Sequence, residues 1–86
     1  MPTISSFFGI VVTMYWREHE PAHFHARYGE FEAIVGIETL GVLRGTMPRR
    51  ALALVLEWAA EHRDELMEDW RLCRANQVPK PIRPLE

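Results

Sequence analysis

From Phe7 to Arg17 the chain is aromatic or β-branched at most positions. Ile10, Val12, Met14 and Trp16 fall on one parity, and Val11, Thr13 and Tyr15 on the other. Apolar side chains on both parities predict one long strand inside a sheet rather than at its edge. Glu18-His19-Glu20-Pro21 ends it, because proline has no N–H to give a ladder. Phe24 to Tyr28 and Phe31 to Ile37 follow as two shorter strands around Gly29, and Val42 to Thr46 as a last one after Leu40-Gly41. The middle pair alternates cleanly. Whether its loop is Tyr28-Gly29 or Gly29-Glu30, one face carries Phe24, Ala26, Phe31, Ala33 and Val35, and the other His23, His25, Arg27, Glu30 and Glu32. The first loop sets His25 opposite Glu32 and Arg27 opposite Glu30. The second sets Arg27 opposite Glu32.

The period then changes. Pro48 suits a first helical turn, and Arg49 to Arg74 holds neither glycine nor proline. Leu52, Val55, Leu56, Ala59, Leu66, Trp70 and Cys73 trace one stripe, with acidic residues mostly on the other side. Leu54 and Trp58 widen the apolar surface beyond the needs of one sheet. An unbroken helix of this length would run about 40 Å, against about 30 Å for a globule of this size. Either it breaks near Glu61-His62-Arg63-Asp64, or its second half leaves the domain and buries Leu66, Trp70 and Cys73 elsewhere. The second solution is favoured, with a homodimer or another protein as the cover. Val78 to Leu85 alternates proline with other residues, which predicts an extended tail, a linker or a strap along a partner's groove. The expected architecture is α+β: an antiparallel meander of three to four strands covered by one long C-terminal helix. Residues 1–76 form the domain and 77–86 the proline-rich tail. Trp58, Leu66, Trp70, Pro79 and Pro81 are the expected partner-binding residues.

At 86 residues the chain can bury one modest core, and scaffolds this small usually add a disulfide, a metal or oligomerisation. Cys73 is the only cysteine, which excludes an internal disulfide and fits a reducing cytoplasm. No stretch approaches the ~20 apolar residues of a membrane span, and Ile10-Val11-Val12 lacks the basic leader of a signal peptide. A net charge of −2 gives no global pull toward nucleic acid. Arg49-Arg50 at a helix start and Trp16-Arg17 offer only local ones, so nucleic acid stays open as a partner.

Chemistry concentrates between His19 and Glu32, which holds three of the four histidines. His23 and His25 lie two apart on a strand, so their rings project from one face and could chelate a transition metal, with His19 or Glu30 as a third ligand. His23, His25, Glu30 and Gly36 follow the spacing of the first motif of cupins, metal-binding β-barrels. Arg17 stands near where that motif's leading glycine would fall, a second motif is missing, and the strands are too few for a barrel. Arg27 on the same face opposes binding a cation. Without metal, His23 or His25 could act as general acid or base, with Glu30 or Glu32 fixing tautomer and charge. Arg27 would then stabilise a developing phosphorane, as in small ribonucleases. The plain alternative is a solvated hairpin face whose cross-strand pairs contribute tenths of a kcal/mol.

Met1-Pro2-Thr3-Ile4-Ser5 with Phe7-Phe8-Gly9-Ile10, then His19-Glu20-Pro21-Ala22-His23-Phe24-His25, then Pro48-Arg49-Arg50-Ala51-Leu52 and Glu57-Trp58-Ala59 resemble the bacterial family called domain of unknown function 4160. The resemblance spans essentially the whole chain. Its most specific motif is His-x-Pro-Pro-His-Phe-His, matched by Pro21, His23, Phe24 and His25, with Ala22 where the second proline often stands. The resemblance carries no established activity. Its genes often lie beside those of domain of unknown function 2442, which implies a two-component module of the toxin–antitoxin kind. The expectation is therefore a cytoplasmic binding or regulatory module of that kind, acting with itself as a dimer, with a small protein encoded nearby, or with both. A nuclease-like enzyme using His23, His25 and Arg27, and a metal-binding domain using His19, His23 and His25, are the alternatives. Catalysis and cofactor are left open.

Overall fold

The computed structural model describes residues 2–86; Met1, in the first segment of the resemblance, lies outside the described residues. Five strands, β1 (Thr3–Phe7), β2 (Ile10–Thr13), β3 (His23–Tyr28), β4 (Phe31–Gly36) and β5 (Val42–Thr46), precede α1 (Arg49–Glu61) and α2 (Arg63–Arg74). The strands form one antiparallel sheet in the order β1-β2-β3-β4-β5. The fold is α+β, with one more strand and one more helix than the sequence predicts.

The additional strand comes from a turn hidden in an apolar run. Phe8 and Gly9 have φ of +49° and +79°, so the segment expected to begin one long strand at Phe7 instead folds back on itself. Two central residues at positive φ match the right-handed twist of a hairpin. Ser6 and Phe7 thereby pair with Val11 and Ile10. The β3–β4 register sets Arg27 opposite Glu32 and Tyr28 opposite Phe31, which selects the Gly29-Glu30 loop.

One sheet face is the core. Ile10, Val12, Phe24, Ala26, Ala33 and Val35 are all fully buried there against Val55, Trp58, Ala59 and Leu66 of the helices. The other face carries His23, His25, Arg27 and Glu32, and α2 reaches it only at the His23 end, through Trp70.

The long helix is corrected to two. A helix through both halves would exceed the longest dimension of the molecule, 33 Å. The chain breaks at His62 (φ −127°, ψ 29°), where His62 N–H donates to the Ala59 carbonyl and Leu66 N–H to the His62 carbonyl. Asp64 and Glu65 then occupy the first turn of α2, and Arg71 and Arg74 its last, each complementing the helix dipole. The break lets the second half fold back, so that Leu66, Trp70 and Cys73 are buried in their own domain.

The tail is also extended, but it lies on its own chain. Ile82 N–H donates to the Ile4 carbonyl at 2.7 Å, on the outer edge of β1, and the Ile82 side chain is buried. Lys80 N–H donates to Asp69 Oδ1 at 2.8 Å, and Trp58 Nε1–H to the Arg83 carbonyl at 2.8 Å. The strap covers the β1 edge. At the opposite edge, every residue of β5 is exposed.

Candidate functional site

Of the five residues expected at a partner surface, Trp58 and Leu66 are fully enclosed in the single chain, and Trp70 and Pro79 are buried. Pro81 is exposed. The helix stripe that was to meet a partner is consumed by the domain's own sheet and strap. Cys73 is buried beside it, and desolvation together with the Asp69 charge pushes its thiol up, consistent with an inert filler.

The titratable cluster lies on the uncovered face. Strand alternation carries His23 and His25 there, and the β2–β3 connection brings Glu18 over them. Glu18 Oε1 lies 2.8 Å from His23 Nε2 and 2.8 Å from His25 Nε2, so both imidazoles converge on one oxygen. The far nitrogens are engaged as well: His23 Nδ1 lies 2.8 Å from the Pro21 carbonyl, and His25 Nδ1 3.3 Å from Glu32 Oε2. Tyr15 meets His25 edge-on with ring centroids 4.4 Å apart, and Trp70 sits 5.1 Å from His23. Both rings are thus fixed in orientation and largely enclosed. Partial burial pushes the Glu18 carboxyl up, but the hydrogen bonds and charge of His25 and His23 outweigh it and hold the group below its ordinary value.

The remaining candidates divide around this cluster. Glu32 joins it through His25. Arg27 is exposed one pleat further along β3, opposite Glu32 in the register. Glu30 sits in the exposed β3–β4 turn, and His19 is exposed next to Glu18 without entering the group. Among the described residues, the donor atoms that gather within 4.8 Å of one another belong to Glu18, His23 and His25. The third ligand named from sequence was His19 or Glu30; the residue that takes the place is Glu18. Its direction depends on the turn conformation, which strand alternation does not fix. The available signal was a carboxylate five residues before a His-x-His pair.

These features define a small α+β domain with one helix-covered sheet face and one open face bearing a carboxylate-clamped histidine pair. The family profile described as Domain of unknown function (DUF4160) matches residues 9–71, well over half of the chain, and the chain belongs to that family. No curated protein and no solved structure matches it. No helix among the described residues is long and apolar enough to cross a membrane.

Proposed function

We propose that the chain is a small cytoplasmic binding module, one component of a two-protein, toxin–antitoxin-like pair, and that it meets its partner through the open face of the sheet. The supporting observation is the one-sidedness of the fold. The helices and the strap pack on the core face, α2 touching the other only through Trp70 beside His23, while that face presents Arg27, Glu32, Ile34 and Arg44 from three adjacent strands. A mixed charged and apolar strip of this kind resembles the polar rim and partly apolar centre of non-obligate interfaces. The occupant proposed is the small protein encoded beside it, as the family resemblance implies.

Co-expression of the full chain with that neighbour tests the proposal. A stable complex that is lost on Arg27→Glu or Ile34→Glu, in variants with native circular dichroism, supports it. A complex indifferent to both substitutions, or a chain that stays alone at micromolar concentration, removes it. Light scattering of the chain by itself separates the homodimer from the heteromer.

One observation favours a second reading. His25 is held between two carboxylates, Glu18 at 2.8 Å and Glu32 at 3.3 Å, the arrangement that positions an imidazole for proton transfer. With Arg27 nearby on β3, the face could act on a phosphodiester as the toxic half of the pair. Growth arrest on expression, relieved by His25→Ala, is the expected result. Arrest that persists in a folded His25→Ala variant excludes these residues from the chemistry.

A further inference from the structure

We propose that Glu18, His23 and His25 form a three-ligand site for a borderline divalent transition metal of the zinc class, open toward the uncovered sheet face. The inference rests on the convergence of three ligand atoms and goes beyond the partner reading, because it holds whether or not a protein docks there. A neutral imidazole carries one N–H. The Pro21 carbonyl can only accept, so His23 donates an N–H from Nδ1 and turns Nε2, the atom free to bind a metal in the neutral ring, toward Glu18. His25 has the same pattern, with Glu32 as the acceptor at Nδ1 and Glu18 again at Nε2. Two imidazole nitrogens and a carboxylate oxygen therefore face a common point, within 4.8 Å of one another, where a bound cation would take a lone pair from each.

The surroundings are those of a metal centre rather than of an accidental cluster. Ligating histidines characteristically donate their other N–H to a backbone carbonyl or a carboxylate, which fixes tautomer and ring orientation. Here one ring has each kind of acceptor. Both imidazole side chains are only 12% exposed, and Tyr15 and Trp70 hold them in place, so little ordering remains to be done on binding. Two carboxylates, Glu18 and Glu32, flank the two rings, and Arg27 faces Glu32 across the strands, which offsets its opposition to a bound cation.

The Glu18 distances need a small adjustment. Ligands about 2.0–2.1 Å from a tetrahedral metal are separated by about 3.3 Å, whereas the Glu18 oxygen lies 2.8 Å from each nitrogen. Glu18 is on a turn and its side chain is one-third exposed, so it can retract by the half ångström required. Two histidines and one carboxylate on one side of the ion leave coordination positions for water or for an incoming donor.

The experiment uses the full chain purified without a histidine tag and stripped with a chelator, titrated with Co²⁺ by visible absorption and with Zn²⁺ by calorimetry. One equivalent of each should bind. His23→Ala, His25→Ala and Glu18→Gln should each weaken binding at least tenfold, Glu32→Gln by a smaller factor, and His19→Ala should leave it unchanged. Should an alanine variant fail to fold, His25→Gln replaces it, and a metal-dependent rise in the thermal midpoint of the unmodified chain provides a readout free of substitutions. Failure of the unmodified chain to bind either ion stoichiometrically overturns the proposal. So does binding that survives loss of both histidines, or that depends on His19. None of these results bears on whether the partner complex forms, so the two proposals fail separately.

Discussion

Leu66→Ala tests whether α2 belongs to the domain's own core. Leu66 is fully buried in the single chain. Removing three carbons forfeits about 2.4 kcal/mol of transfer free energy at ~0.8 kcal/mol each. A residual void of ~50 Å³ adds about 1.2 kcal/mol at ~24 cal/mol per Å³. The expected loss is thus about 2.5–4 kcal/mol, a large fraction of the ~5–15 kcal/mol that holds a domain together. For a chain of this length each kcal/mol moves the thermal midpoint by about 4–8 °C, so a fall of roughly 10–30 °C should appear in circular-dichroism melts. Because the contact is within one chain, the fall should not change with protein concentration. Val78→Ala, at a position 74% exposed, is the control and should stay within about 0.5 kcal/mol. A midpoint that moves by less than a few degrees, or a loss that shrinks as concentration rises, would mean that Leu66 packs against a second molecule. The intramolecular α2 would then be wrong.

Other outcomes follow from the same packing. Ile82→Ala should cost about 2–4 kcal/mol in chemical denaturation, because the strap seats Ile82 in the core; a neutral result would mean that the strap is undocked. Gly45→Ala should lose at least ~1–3 kcal/mol, since φ is +85° and a Cβ would meet the Glu32 carbonyl oxygen; an unchanged melt would refute the β5 register. Burial pushes the Asp69 carboxyl up from 3.8, opposed by its Lys80 backbone hydrogen bond. In the pH range just above 3.8 the folded chain therefore holds more protons than the unfolded one, and stability falls as pH rises. Asp69→Asn should flatten that slope in pH-dependent melts, whereas a wild type that gains stability relative to the variant across the same range contradicts it.

What was legible in the sequence was what repeats locally. Period-two alternation placed His23, His25, Arg27 and Glu32 opposite Phe24, Ala26, Ala33 and Val35, and either candidate loop left that partition intact. Helical periodicity found Leu66, Trp70 and Cys73 as one buried stripe. Two features escape a local reading and a third is left undecided by it, each because a tertiary contact decides it. The Phe8-Gly9 turn has a single glycine inside an apolar run, so composition reads through it. The break at His62 falls in the segment named for it, yet with no glycine or proline there the unbroken helix is the favoured reading; the benefit of burying both halves of the stripe on one sheet decides for the break. Glu18 lies on a turn, where side-chain direction follows backbone dihedrals such as the positive φ of Arg17 rather than any period. The proline-rich tail has no regular secondary structure. Its destination was set by Ile4, Trp58 and Asp69, residues far away in sequence that offer an edge carbonyl, an indole N–H and a carboxylate.

The most direct test of the central geometry is long-range ¹H–¹⁵N correlation of the four imidazoles during a Zn²⁺ titration of the untagged chain. If Glu18 gathers His23 and His25 at one point, their Nε2 resonances move together and saturate at one equivalent, Nδ1 of both rings stays protonated, and His19 and His62 are unmoved. Independent responses from His23 and His25, or a response confined to His19 or His62, would contradict a shared site on the open face of the sheet.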